Sequence, residues 1–184
     1  MKRKYASVLV LFLSLLLTLS GTLSSYAEGL VNSPVYLKAS ACDASVIALK
    51  SDGTVWTWGR NDVGQIGDGT EGIMDFRSTP TLVKGISDAI DVASGGSFNV
   101  VLKKDGSVWA WGDVDFGSFD DLGYDKVHLV RQIPELSGII EIAAGDSHSM
   151  ALKNDGTLWV WGMNKSGQLG NGGADMFYPV QVIR

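Results

Sequence analysis

The 184-residue chain carries a formal net charge of −5, is 45% hydrophobic and has a single cysteine. Its length suits one domain with an appendage. The acidic balance points away from nucleic acid, whose binding rests on Lys and Arg neutralising phosphates, and one cysteine excludes an internal disulfide.

The chain opens on Lys2, Arg3 and Lys4, followed by the apolar run YASVLVLFLSLLLTLSGTL and the small residues Ser25 and Ala27. A basic start, an apolar stretch and a small-residue site predict a secretory signal peptide over residues 1–27. The competing reading is an uncleaved membrane anchor, because the run approaches the ~18 residues that can span a bilayer. Ser14, Thr18, Ser20 and Gly21 dilute the run and favour cleavage. Cleavage would remove three positive charges and take the net charge from −5 to −8. The expected location is therefore secreted or cell-surface, with no membrane contact beyond the signal peptide. Residues 28–35 read as a linker. Cys42, a leftover thiol in an exported chain, is expected to be buried and inert, an intermolecular bridge being the alternative.

Beyond the linker, one unit occurs three times. ALKSDGTVWTWG, VLKKDGSVWAWG and ALKNDGTLWVWG place Gly53, Gly106 and Gly156 at the same point, and all six tryptophans fall in W-x-W-G motifs. These are Trp56, Trp58 and Gly59; Trp109, Trp111 and Gly112; and Trp159, Trp161 and Gly162. An earlier segment recurs as YLKASACD, AIDVASGG and IIEIAAGD, and a later one as TPTLVKG, VHLVRQI and YPVQVIR. Each unit thus offers four short runs rich in Val, Ile, Leu and Trp, separated by turn residues. Asp-Gly between the two central runs suits a tight turn with positive φ, so those runs should pair antiparallel.

The repeats divide the chain into units of about 36–85, 86–137 and 138–184, each a four-stranded antiparallel sheet. Alternation puts Trp159 and Trp161 on one face and Leu158 and Val160 on the other. A sheet apolar on both faces must be covered on both, as radially stacked propeller blades are. The predicted fold is all-β: a partial β-propeller of three blades forming an open arc. Three blades are fewer than the four to eight of most propellers. Either the chain is a partial gene product or arcs associate to complete a propeller. In the third unit, either the Trp pair or the opposite apolar face is left to meet a partner.

The residues SHSMALKNDGTLWVWGMNKSGQLGNG (147–172) and IALKSDGTVWTWGRNDVGQIGDG (47–69) resemble the repeat of the regulator of chromosome condensation family, whose members form seven-bladed propellers. The middle unit resembles it through VVLKKDGSVWAWG, then departs with DVDFGSFDDLGYD. The nuclear member of that family is a nucleotide exchange factor that binds chromatin, and an exported acidic chain points away from that role. Secreted bacterial members, among them a propeller that inhibits β-lactamases by protein contact, are the better analogue.

Few residues suggest chemistry. The glycine-rich loops lack the G-K-[ST] ending of a phosphate-binding loop, so their glycines read as turn formers, with Asn61 and Asn164 bonding to nearby backbone. His148 stands beside Asp146, Ser147 and Ser149, but neighbours in a strand do not converge as a triad, and Ser45 and Phe98 hold its place in the other units. The middle loop crowds Asp113, Asp115, Asp120, Asp121 and Asp125 without the spacing of a calcium loop. Asp115, Phe116, Phe119, Asp120, Asp121 and Tyr124 are the candidate partner-binding residues, since loops on a rigid scaffold often carry recognition. No catalytic set, cofactor or metal is expected. The expected function is a non-enzymatic protein-binding or cell-surface scaffold. The alternative is a cell-envelope glycan-binding module using paired indoles, and a polysaccharide-active enzyme comes third.

Overall fold

The computed structural model describes residues 33–113 and 127–182, all strand and loop. The first sheet holds β1 (Tyr36–Cys42), β2 (Ser45–Lys50), β3 (Val55–Arg60) and β4 (Phe76–Leu82). The second holds β5 (Ala89–Ser94), β6 (Phe98–Lys103), β7 (Val108–Gly112) and β8 (Val127–Gln132), and the third β9 (Ile139–Ala144), β10 (His148–Lys153), β11 (Leu158–Gly162) and β12 (Met176–Gln181). Each sheet is an antiparallel meander in chain order, so each is one blade.

The central hairpins are built alike. Gly53 N–H donates to the Lys50 carbonyl at 3.0 Å, and Lys50 N–H to the Thr54 carbonyl at 2.9 Å. The loop is therefore Ser51-Asp52-Gly53, with glycine alone at positive φ (77°). The tight Asp-Gly turn expected from sequence is thus a three-residue loop closed by a left-handed glycine. Asp52 is thereby free to turn its carboxylate onto Thr54.

The blades meet chiefly through their first strands: β5 lies against β1 and β2, and β9 against β5 and β6. Two apolar layers fill the gaps. Ile47, Leu49, Val55 and Val83 of the first blade pack on Val92, Val101 and Trp111 of the second. Val100, Leu102, Val108 and Ile133 of the second pack on Ile142, Ala151 and Trp161 of the third. Every blade thus has a forward face, set by the aliphatic positions of its second and third strands, and a backward face that carries the tryptophans. Backbone bonds tie the same joints. Ala89 N–H donates to the Gly53 carbonyl and Ile139 N–H to the Gly106 carbonyl, both at 3.1 Å. The three blades form the open arc of a partial propeller.

Candidate functional site

The W-x-W-G motif is first a piece of local engineering. Gly59 (φ 102°) sits where β3 bulges away from β4, and a Cβ there would overlap the Ala44 carbonyl oxygen. The space is used by a bond from Arg60 N–H to that oxygen at 3.0 Å. Asp113 N–H to Ser97 O and Met163 N–H to Ser147 O repeat it in the other blades.

The first tryptophan of each pair is half-buried and belongs to a short relay. Trp56 Nε1 donates to Thr54 Oγ1 at 3.0 Å, and Thr54 Oγ1 donates to Asp52 Oδ1 at 2.6 Å. Trp109–Ser107–Asp105 and Trp159–Thr157–Asp155 repeat the chain of bonds. The Thr54, Ser107 and Thr157 hydroxyls, with the backbone N–H of the same residues, hold Asp52, Asp105 and Asp155 below the usual carboxylate range.

The second tryptophan is a joint. Trp111 is wholly buried, and its Nε1 donates to the Gln65 carbonyl of the preceding blade at 3.0 Å. Asn99 Nδ2 donates to the same oxygen at 2.8 Å. Trp161 is likewise buried, at the second joint. In the second and third blades the two indoles of a pair therefore do not form a common exposed platform.

Gln65 is held in place by a loop built around a buried asparagine. Asn61 Oδ1 accepts from Ile66 N–H at 3.0 Å, and Nδ2 donates to Thr70 O and to Asp75 Oδ2. Asn164 does the same in the third blade, accepting from Leu169 N–H at 2.9 Å and donating to Gly173 O. Hydrogen bonds from Asn61 and Arg77 hold Asp75 below the usual carboxylate range.

Two surfaces stand out against this frame. The third blade's forward face is uncovered by any described strand: Leu158 is 36% exposed, whereas its counterparts Val55 and Val108 are fully buried. Met150 and Leu152 flank it, and a cleft of about 170 Å³ opens between Glu141, Ile142, Ala143, Met150, Leu152 and Leu158. Of the two faces left open by the sequence, it is the aliphatic one that is exposed here, while Trp161 is sealed. The Trp pair with no described strand of another blade against it belongs to the first blade, where Trp56 and Trp58 are half-buried. The second surface is a turn in the first blade, where Ile73 and Met74 (φ 65°) stand almost fully exposed beside Arg60, Asp62 and Val63. Neither residue belongs to the motifs that recur from blade to blade, Gly173 and Ala174 standing in their place in the third, and no spacing rule singles them out. Leu158 lies on the apolar face that alternation sets opposite the Trp pair, whereas Met150 and Leu152 read as ordinary core.

The other candidates resolve as follows. Asp115, Phe116, Phe119, Asp120, Asp121 and Tyr124 lie outside the described residues. His148 lays its ring over Gly145 as Phe98 does over Gly95, which makes it a packing residue. Cys42, expected to be buried, is half-buried at the end of β1. Among the described residues no group of three or more His, Cys, Asp and Glu side chains is placed to hold a metal.

Three like sheets, each sealed to the next by aliphatic side chains on one face and tryptophan on the other, define a β-propeller-repeat protein. Residues 52–102, 105–152 and 155–183 match the Regulator of chromosome condensation (RCC1) repeat, and 89–118 and 139–168 match a second form of it. The chain belongs to this family. The first two matched units each begin at the central hairpin of one blade and end in the second strand of the next, so each of these spans a joint, whereas the third stays within the third blade.

The E3 ubiquitin-protein ligase HERC2 of Mus musculus is 36% identical over 98 residues, 52% of this chain and 2% of HERC2. The Regulator of chromosome condensation of Drosophila melanogaster is 41% identical over 66 residues, 36% of this chain and 12% of that protein. The chain thus matches a small part of these relatives' lengths. Prp20p of Saccharomyces cerevisiae, a protein described with its binding to Gsp1p and histones, superimposes with a TM-score of 0.70 at 21% identity, over 81% of this chain and 38% of that one.

Proposed function

We propose that this chain is a protein-binding module, exported through its N-terminal segment, that serves as a scaffold at or beyond the cell surface and performs no chemistry of its own. The observation that carries this reading is the third blade's forward face. Met150, Leu152 and Leu158 are arranged as their counterparts are at two sealed joints, yet face outward. An exposed apolar patch of this kind marks a protein-interaction site. Kinship with a repeat family whose member Prp20p is described as binding Gsp1p and histones agrees with a protein partner. Export is supported by the order of basic, apolar and small residues over 1–27.

The test is capture of surface proteins from the producing cells by wild-type and Leu158→Asp chains of equal circular dichroism. The wild type should retain a defined protein that the variant loses at least about tenfold, because the carboxylate would have to be desolvated at the contact. Equal retention would remove this face as the site. N-terminal sequencing of the extracellular chain should begin at Glu28, and a chain found only inside the cell with Met1 intact would end the export reading.

A further inference from the structure

The turn that leads into β4 holds apolar side chains in solvent at two energetic costs. Asp75 N–H donates to the Gly72 carbonyl at 2.8 Å, so Ile73 and Met74 are the central residues of the turn. Met74 has φ 65°, a left-handed conformation that the second central position of such a turn normally gives to glycine or asparagine. Ile73 is 95% exposed and Met74 88%, and Phe76, the first residue of β4, is exposed beside them. A polar turn with glycine in second place would close the same loop without either cost.

The exposure of this turn does not depend on which blades stand next to the first. The forward face of the first blade is sealed to the second, and Ile73 and Met74 remain in solvent. The third blade supplies the comparison for the backward face. Asp175 bonds to Asn164 and Asp75 to Asn61, which sets Gly173 and Ala174 where Ile73 and Met74 stand. The third blade's backward face is sealed to the second blade, yet Gly173 and Ala174 are exposed. A joint on either side thus leaves these positions open.

A cleft of about 400 Å³ lies beside the turn, lined by Ile73, Met74, Val63, Arg60 and Asp62. Its surroundings are acidic. Asp43 holds Arg60 at 3.0 Å and Asp62 holds it at 2.8 Å, while Asp68 and Asp75 hold Arg77 at 2.8 and 2.6 Å. Four carboxylates against two guanidinium groups leave a charge of −2 (2 minus 4). Both cations are already engaged by carboxylates, so the charge left over to meet a partner is negative.

We infer that this cleft is a second protein-docking site, which takes a segment of a partner protein in which a large apolar side chain is flanked by Lys or Arg. The apolar side chain enters against Ile73, Met74 and Val63, and the flanking cations meet the acidic rim. An apolar centre with a polar, charged rim is the ordinary anatomy of an interface. An anionic lipid surface, the other medium suited to an exposed Ile-Met turn, is repelled by the same rim. The site is separate from the third-blade face and does not rest on it.

A randomised peptide library displayed on phage and selected on the folded full chain should enrich peptides with Leu, Met or Phe flanked by Lys or Arg. The tightest of them, labelled, then serves as the probe in fluorescence anisotropy. Ile73→Ser combined with Met74→Gly should weaken its binding at least about tenfold, because the apolar anchor loses its wall. Glycine suits the left-handed position, so this double variant should melt at or above the wild-type temperature, which rules out unfolding as the cause. Asp43→Asn should weaken binding about threefold and flatten its dependence on salt. Asparagine also tolerates the φ of 49° at that position. Leu158→Asp should leave the affinity unchanged; a loss there would place the peptide on the third-blade face and overturn the assignment. Enrichment of acidic or wholly polar peptides, no enrichment at all, or equal binding by the double variant would overturn it too. Binding of phosphatidylcholine vesicles by the wild type and not by the double variant would assign the turn to a lipid surface and likewise overturn it.

Discussion

The Asp–Thr–Trp relay is the smallest unit of this fold, and it makes each blade's hairpin sensitive to acid. Asp52, Asp105 and Asp155 accept from Thr54, Ser107 and Thr157, and those bonds lower the three pKa values below the ordinary 3.8. A carboxylate depressed in the folded state adds stability that is present above its unfolded pKa and is lost as pH falls through the folded one. The relay should therefore leave the melting temperature flat between pH 8 and 5 and lower it below about pH 4. Asn accepts the same bond without titrating. A chain with Asp52→Asn, Asp105→Asn and Asp155→Asn should melt below the wild type at pH 7, with the gap closing as pH falls below about 4. A gap that stays constant over that range would mean the carboxylate charge contributes nothing to these turns. The sequence displayed the repeated D-G-[ST]-x-W spacing but not this linkage, because a turn residue and a strand residue at i and i+4 look unrelated until the hairpin brings the hydroxyl between them.

At the scale of the element, the loop after β3 is as much a part of the second blade as of the first. Asn61 shapes it from within, and Gln65 presents its carbonyl to both Trp111 and Asn99. Asn61→Ala removes the acceptor for Ile66 N–H and the donor to Thr70 and Asp75 at a wholly buried site. Stranded buried polar groups cost about 1–3 kcal/mol each, so denaturant unfolding should report a loss of at least about 2 kcal/mol. The indole N–H of Trp111 should also exchange with solvent much faster, even though the substitution lies in the other blade. Unchanged Trp111 exchange would show that the loop holds its shape without Asn61. Strand order and the sharing of a face by Trp109 and Trp111 were readable from period-two alternation. Which neighbour that face meets was not, since alternation sorts side chains into two sets without assigning either to the blade before or after. The Gln65–Trp111 bond was hidden for the same reason, because it joins residues 46 apart in the chain.

At the scale of the whole molecule, the two apolar layers do not share a residue: one joins the first blade to the second, the other the second to the third. The second blade's sheet stands between them, and Val101 and Trp111 serve one layer while Val100 and Leu102, their neighbours in the same strands or sheet, serve the other. Stability in such an array is a sum of blade terms and joint terms, each joint felt mainly by the blades it links. Ile133 is fully buried in the second layer alone. Ile133→Ala should cost about 2–5 kcal/mol by leaving a cavity, and the cost should not spread evenly. Native-state hydrogen exchange should show the amides of β9–β11 losing protection, while those of β2 and β3 keep most of theirs, as separately opening units do. Uniform loss across all three blades would instead mean that the strand-level bonds at Gly53 and Gly106 couple the array into one cooperative unit, with the joints too strong to open singly.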